Sequence, residues 1–218
     1  LPVVCFFIAA IFYAGVAIFA REFSRLVGII LLAMFVIYMV ITVIHAVKHP
    51  DEAEAEETEK QLSTFMSILL LVIGAVLIAV GANFLVDNGT IIARTLGVPE
   101  TVIALTFVAL GSSLPELVTA ITSLAKGHGA LSLGNVIGAN LFNLVLVSGA
   151  SIALSPFSIP QSSTIAGRNA SLVMDIPVMF AVMGLLTVPA LMRGRLARWQ
   201  GVTLLGIYAA FCVTQFVM

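Results

Sequence analysis

Residues 109–116 read Ala109-Leu110-Gly111-Ser112-Ser113-Leu114-Pro115-Glu116, inside an apolar run that extends from about 98 to 124. Glu116 stands sixteen residues after Glu100 and ten before Lys126, which is ~24 Å and ~15 Å along an α-helix. An ionisable side chain at that depth in a bilayer costs roughly 2.5–3.5 kcal/mol on insertion scales, so it requires a partner or a purpose. Pro115 has no backbone N–H, so the carbonyl of Gly111 is expected to lose its helical partner and the helix to break. Ser113 and Ser112 precede Glu116 by three and four positions, which predicts that both hydroxyls share its face. One carboxylate, two hydroxyls and freed carbonyls around Ala109 to Gly111 form an all-oxygen set suited to hard cations such as Ca²⁺ or Na⁺. A proline kink with serines bonded back to the helix explains the break but leaves the acid unexplained.

Outward from this stretch, the whole chain is apolar. Of its 218 residues 61% are hydrophobic and 10% charged, against ~25% charged in a soluble domain. The mean hydropathy is +1.16. This excludes a cytosolic enzyme, a disordered protein and a disulfide-stapled secreted domain. Ten Lys and Arg against eleven Asp and Glu give a net charge of −1, which leaves no polybasic surface for nucleic acid. Cys5 and Cys212 lie in apolar runs and read as small buried hydrophobes. The fold class is all-α, a polytopic membrane protein, because open strands cannot cross lipid. Seven runs are long enough to span: about 2–20, 26–47, 64–86, 98–124, 131–154, 172–192 and 200–218. Asp87, Glu100 and Asp175 fall close to span ends, where water or head groups can solvate them.

The span after Glu116 holds Gly134-Asn135-Val136-Ile137-Gly138-Ala139-Asn140-Leu141-Phe142-Asn143. Asn143 is twelve residues from Leu131 and eleven from Leu154, near the midplane. Gly134 and Gly138 offer a small-residue surface that lets another helix approach closely. Three amides exceed what packing requires. A broken span with a carboxylate beside a Gly/Asn span at equal depth is the pattern of a midplane transporter site.

The most polar segment, His49 to Lys60, carries six acids, Asp51, Glu52, Glu54, Glu56, Glu57 and Glu59. It lacks the glycine turn and ligand alternation of an EF-hand and reads as a solvated linker. Six basic residues, among them Lys48, Lys126 and Arg193, flank the linker's side. Four, Arg21, Arg25, Arg94 and Arg168, flank the other. That bias places the linker in the cytoplasm. Leu1 heads an apolar run without an initiator methionine or signal-peptide pattern, as expected of a piece of a longer protein.

The paired stretches 109–116 and 134–143 resemble the second alpha-repeat of the calcium/cation antiporter superfamily, whose best-known members are the sodium/calcium exchangers. Gly81-Ala82-Asn83-Phe84-Leu85-Val86-Asp87 is similar to the entry helix of that repeat. The resemblance implies ten helices in two inverted five-helix repeats joined by a cytoplasmic linker. Residues 1–47 would be the last two helices of the first repeat, 48–63 the acidic linker, and 64–218 the second repeat. Glu116 would match the Ca²⁺-binding glutamate, and Ser112, Ser113 and the Ala109 carbonyl would match ligands of the ion sites. Asn143 would occupy a further metal position. Many relatives carry Ser at Ala139 and some carry Asp at Asn143. Residues 1–60 contain neither motif, so the partner half-site would come from a missing N-terminal repeat, on the same full-length chain or on a second copy.

The expected function is therefore a secondary antiporter exchanging Ca²⁺ for Na⁺ by alternating access, in the plasma (inner) membrane, with lipid and the transported cations as its partners and no cofactor. The alternative is a proton- or other-cation-coupled exchanger, since Glu116 can itself carry a proton. An intramembrane enzyme is not expected. HExxH and GxSxG are missing, Asp175 has no second intramembrane Asp, and His45, His49 and His128 sit at span edges or loops.

Overall fold

The computed structural model describes residues 2–48, 63–159, 164–165, 167–193 and 196–217. The acidic segment from His49 to Lys60 lies outside the described residues. The described chain is helical almost throughout and is a polytopic, all-α membrane protein. α1 (Pro2–Gly15) continues into a π-helical turn, Val16–Ala20, and β1 (Glu22–Phe23) leads to α2 (Arg25–Lys48). α3 (Thr64–Thr95) follows. Next come α4 (Glu100–Ile103), a π turn at Ala104–Val108, α5 (Ala109–Ser112) and α6 (Leu114–Ala125). α7 (Gly129–Phe142), a π turn at Asn143–Val147 and α8 (Ser148–Leu154) form one continuous run. After β2 (Phe157–Ser158), β3 (Thr164–Ile165) and β4 (Arg168–Asn169), a π turn at Ser171–Asp175 opens α9 (Ile176–Arg193), and α10 spans Arg198–Val217.

Five of these runs are long and apolar enough to cross a membrane, and a sixth is the pair α5 and α6, bent by 55°. The seventh expected span, 200–218, corresponds to the twenty-residue α10, which is not among the five or six runs that qualify among the described residues. α3 is longer than its apolar run suggests, 32 residues ending at Thr95. Asp87 therefore lies about two turns before the helix ends. The stop signal is Gly97. Gly97 takes φ +77°, its N–H donates to Arg94 O, and Val98 N–H reaches back to Ala93 O, a Schellman closure. Gly127 closes α6 in the same way, with φ +86° and His128 N–H donating to Ser123 O at 2.8 Å. Arg94 and Glu100 pair across the first of these turns at 2.6 Å.

The described residues form two compact units, one from 1–48 and 129–207, the other from 49–128 and 208–218. In the first, α1 buries Ala9 and Ala10 completely, together with Phe6, Leu141, Val145 and Met183. The closest approach is α2 on α8. A Cβ on Gly28 would strike the backbone of Ala153 and Gly149, and one on Gly149 would meet Leu31 Cβ at 3.0 Å. Gly134 and Gly138, the pair expected to admit a neighbouring helix, have nothing within 4 Å of their Cβ positions among the described residues. Pro189 sits inside α9, where it deprives the Leu185 carbonyl of its i+4 donor. Gln200, 1% exposed, supplies a replacement: its Nε2 donates to Leu185 O at 2.9 Å while its Oε1 accepts from Ala197 N at 2.8 Å.

In the second unit α3 packs on the broken segment. Gly111 lies against Val86 so closely that a Cβ would overlap its Cγ2, and a Cβ on Gly89 would meet the Phe107 ring at 2.5 Å. Small residues thus set the helix spacing where the chain breaks.

Candidate cation site

The break falls at Ser113, with φ −100° and ψ 3°, between α5 and α6. Pro115 occupies the second position of α6, inside the first turn, where a missing N–H removes no helical bond. The expected cost to Gly111 of a proline in mid-helix therefore does not arise; α5 has ended at Ser112. The i, i+4 relation of Ser112 to Glu116 does not run across the break either, since the two belong to different helices 55° apart.

Ser113 and Glu116 stand at the N-cap and N3 positions of α6, the spacing of a capping box. That box is not formed. Ser113 makes no side-chain cap hydrogen bond, and its own N–H donates to Ala109 O and Leu110 O at 3.2 and 3.1 Å. Glu116 is half-buried, and its Oε2 is covered yet has no hydrogen-bond partner among the described residues. A buried polar atom without a partner costs about 1–3 kcal/mol, and more when charged. Ser112 is exposed and donates its Oγ to the Ala109 carbonyl at 2.9 Å. That carbonyl accepts from both Ser112 Oγ and Ser113 N, which leaves the serine lone pairs and the free Glu116 oxygen as donors to a cation. The negative C-terminal end of α5 and the positive N-terminal end of α6 meet at the break, so the attraction for a cation rests on the carboxylate and not on a helix dipole.

Asn143 belongs to the other unit. It opens the π turn 143–147, its carbonyl accepts from Ser148 Oγ at 3.0 Å, and its exposed side chain lines a cavity of about 390 Å³ with Asn140, Ser148, Phe6 and Met183. Asn140 Nδ2 donates to Val136 O at 2.8 Å. Asn135 Nδ2 is buried without a partner among the described residues. Two polar groups escaped sequence reasoning. Ser148 stands five residues after Asn143, a π-register spacing invisible to counts of three and four. Thr90, whose buried Oγ1 is likewise unpartnered among the described residues, hides in the part of α3 beyond Asp87. No group of three or more His, Cys, Asp or Glu that could hold a metal occurs among the described residues. The donors at the break suit a cation in transit better than a resident one.

Comparison with known sequences agrees on one group. The sequence profile of a family described as "Sodium/calcium exchanger protein" matches residues 66–217. The chain is 38% identical over 149 residues to the sodium/calcium exchanger MaX1 of Methanosarcina acetivorans, covering 68% of this chain and 40% of that protein. It is 31% identical over 177 residues to the inner membrane protein YrbG of Escherichia coli, covering 78% and 54%. The human sodium/potassium/calcium exchanger 4 is 30% identical over 135 residues, covering 62% and 22%. The chain thus spans between about a fifth and just over half of the length of these relatives. No solved structure gives a significant match.

Proposed function

The chain belongs to the sodium/calcium exchanger family, a family of membrane transporters, and on that premise we propose that it supplies one half of a secondary antiporter exchanging Ca²⁺ for Na⁺. The observation that carries this reading is the Glu116 Oε2 at a broken span, buried without a partner among the described residues, beside a capping box that is spelled but not formed. Ca²⁺ is the transported substrate; Glu116 gives it a charged ligand and the Ser112 and Ser113 hydroxyls give it neutral oxygens, while the Ala109 carbonyl, which already accepts from Ser112 Oγ and Ser113 N, joins them only when the Ser112 hydroxyl turns away. Alternating access then consists of opening this site to one side or the other. The protein resides in the plasma (inner) membrane.

Chain topology supports a midplane location for Glu116. β1 pairs with β2 antiparallel, Glu22 opposite Ser158 and Phe23 opposite Phe157, so both strands lie on one side of the bilayer. Between them run α2, α3, the broken α4–α6 segment and α7–α8. A return to the same side requires an even number of crossings. Four full crossings satisfy this, whereas a re-entrant α4–α6 would leave three. Glu116 then lies within a segment that traverses the membrane.

One carboxylate neutralises half the charge of Ca²⁺, so the remaining ligands come from a first repeat, in the same polypeptide or in a second copy. Asn143 offers a neutral oxygen where an Asp would add charge for a further monovalent ion, so exchange is independent of K⁺. The test is Ca²⁺ uptake by the intact protein in vesicles under an outward Na⁺, H⁺ or K⁺ gradient at clamped potential. Na⁺ alone should drive uptake, with K⁺ making no difference. Uptake driven by a proton gradient without Na⁺ would replace this reading with proton coupling, and a strict K⁺ requirement would overturn the role given to Asn143.

A further inference from the structure

A second cavity, of about 510 Å³, lies at the end of the first unit where β1, β2 and the β3–β4 hairpin meet. Its polar lining is Arg21, Arg168, Asn169 and Thr164, over an apolar floor that includes Ile159 and Leu172. Two exposed arginines, Arg21 and Arg168, line one space, and neither is ion-paired or hydrogen-bonded through its side chain among the described residues. Like charges sharing a cavity repel unless an anion lies between them.

The backbone at Arg21 adds an independent observation. Arg21 has φ 55° and ψ 9°, and it is the one described non-glycine residue with positive φ. A left-handed conformation is disfavoured for a residue with a Cβ, and Gly or Asn would fit there more easily. The conformation is fixed on both sides: Arg21 N–H closes the π turn on Val16 O at 3.0 Å, and Arg21 O accepts from Ile159 N at 3.1 Å. An arginine held where glycine is favoured points to a role for its side chain. Arg168, on the hairpin, follows Gly167 with φ 75°.

From these observations we propose that the Arg21–Arg168 cavity binds a phosphate-type oxyanion. Guanidinium forks match tetrahedral oxyanions bidentately. Two sources share that chemistry, the headgroup phosphate of an anionic lipid and free inorganic phosphate. The apolar Leu172 and the exposed Val173 beside it give an acyl-glycerol moiety a surface to lie on, which inorganic phosphate would not use.

The test is native mass spectrometry of the intact protein with phosphatidylglycerol, phosphatidylcholine or inorganic phosphate, for wild type, Arg21→Asn and Arg168→Gln. Arg21→Asn removes the charge while easing the left-handed backbone, so lost binding cannot be ascribed to misfolding. Phosphatidylglycerol retention should exceed phosphatidylcholine retention and fall about tenfold in each variant, the worth of one charge-assisted hydrogen-bond pair. Arg168→Lys should recover part of it. Inorganic phosphate that binds with the same arginine dependence while lipid does not would confirm the anion site and identify the free ion as its source. Equal retention of every probe by wild type and both variants would overturn the proposal.

Discussion

Glu116→Gln separates a transport residue from a structural one by the sign of its effect on stability. In the structure the Glu116 Oε2 is buried and accepts no hydrogen bond from the described residues. Replacing the carboxylate by an amide of the same shape breaks no hydrogen bond among the described residues and removes a charge from a poorly solvated place. Without Ca²⁺ the variant should be as stable as wild type or more so, by about 1–2 kcal/mol. Transport moves the other way. Removing one member of a buried charge pair costs about 3–5 kcal/mol, at least a hundredfold or so in apparent Ca²⁺ affinity. Ca²⁺ at 100 times its Kd should also protect wild type by about 2.7 kcal/mol and leave the variant unmoved. The assay combines Ca²⁺ uptake into vesicles with thermal melting of the purified intact protein, with and without Ca²⁺. Near-wild-type uptake by the variant, or a Ca²⁺-free melting temperature clearly below wild type, would refute the reasoning.

Three further outcomes concern the frame around the site. Gln200→Leu should destabilise by about 2–4 kcal/mol in a reversible unfolding titration, because it orphans the Leu185 carbonyl and the Ala197 N–H. Gly28→Ala should cost about 1–3 kcal/mol, since its Cβ meets backbone on α8 that cannot step aside; Gly74→Ala, with nothing within 4 Å, is the control and should be neutral or stabilising. Gly111→Ala should lower both melting temperature and Ca²⁺ uptake, because the new methyl overlaps Val86 at the break itself.

Hydropathy alone located the spans, because a bilayer demands long apolar runs whatever their neighbours. The motif stretch 109–116 marked the break to within two residues. What the sequence could not convey was register. Helical counting at three and four assumes one continuous α-helix, and the chain departs from that at each place of interest. Ser113 interrupts α5 and α6, and Asn143 begins a π turn that brings Ser148 to its carbonyl at a spacing of five. Glycine spacing was incomplete for another reason. Gly134 and Gly138 carry the familiar pattern but have nothing within 4 Å of their Cβ positions among the described residues, whereas Gly28 and Gly149, 121 positions apart, bring two helices together in the first unit. Such a pairing is a property of the fold and leaves no local trace.

The two prolines at Pro115 and Pro189 show how a broken span is distinguished from a merely dented one. Both stand in apolar helical segments, and both lack the N–H that a helix interior uses. At Pro189 the deficit is made good: Gln200 reaches from α10 to the Leu185 carbonyl, and α9 runs unbroken from Ile176 to Arg193. At Pro115 the helix stops instead. Ser113 could cap the new turn and Glu116 could complete the box, yet neither does so, and the carboxylate oxygen stays buried and unused. At Pro115 no bond needed replacing, since the proline stands in the first turn of α6, and the right residues for a cap are already in sequence. The capping box left open at Glu116 costs stability on folding, and a cation arriving between Ser113 and Glu116 is the partner that would restore it.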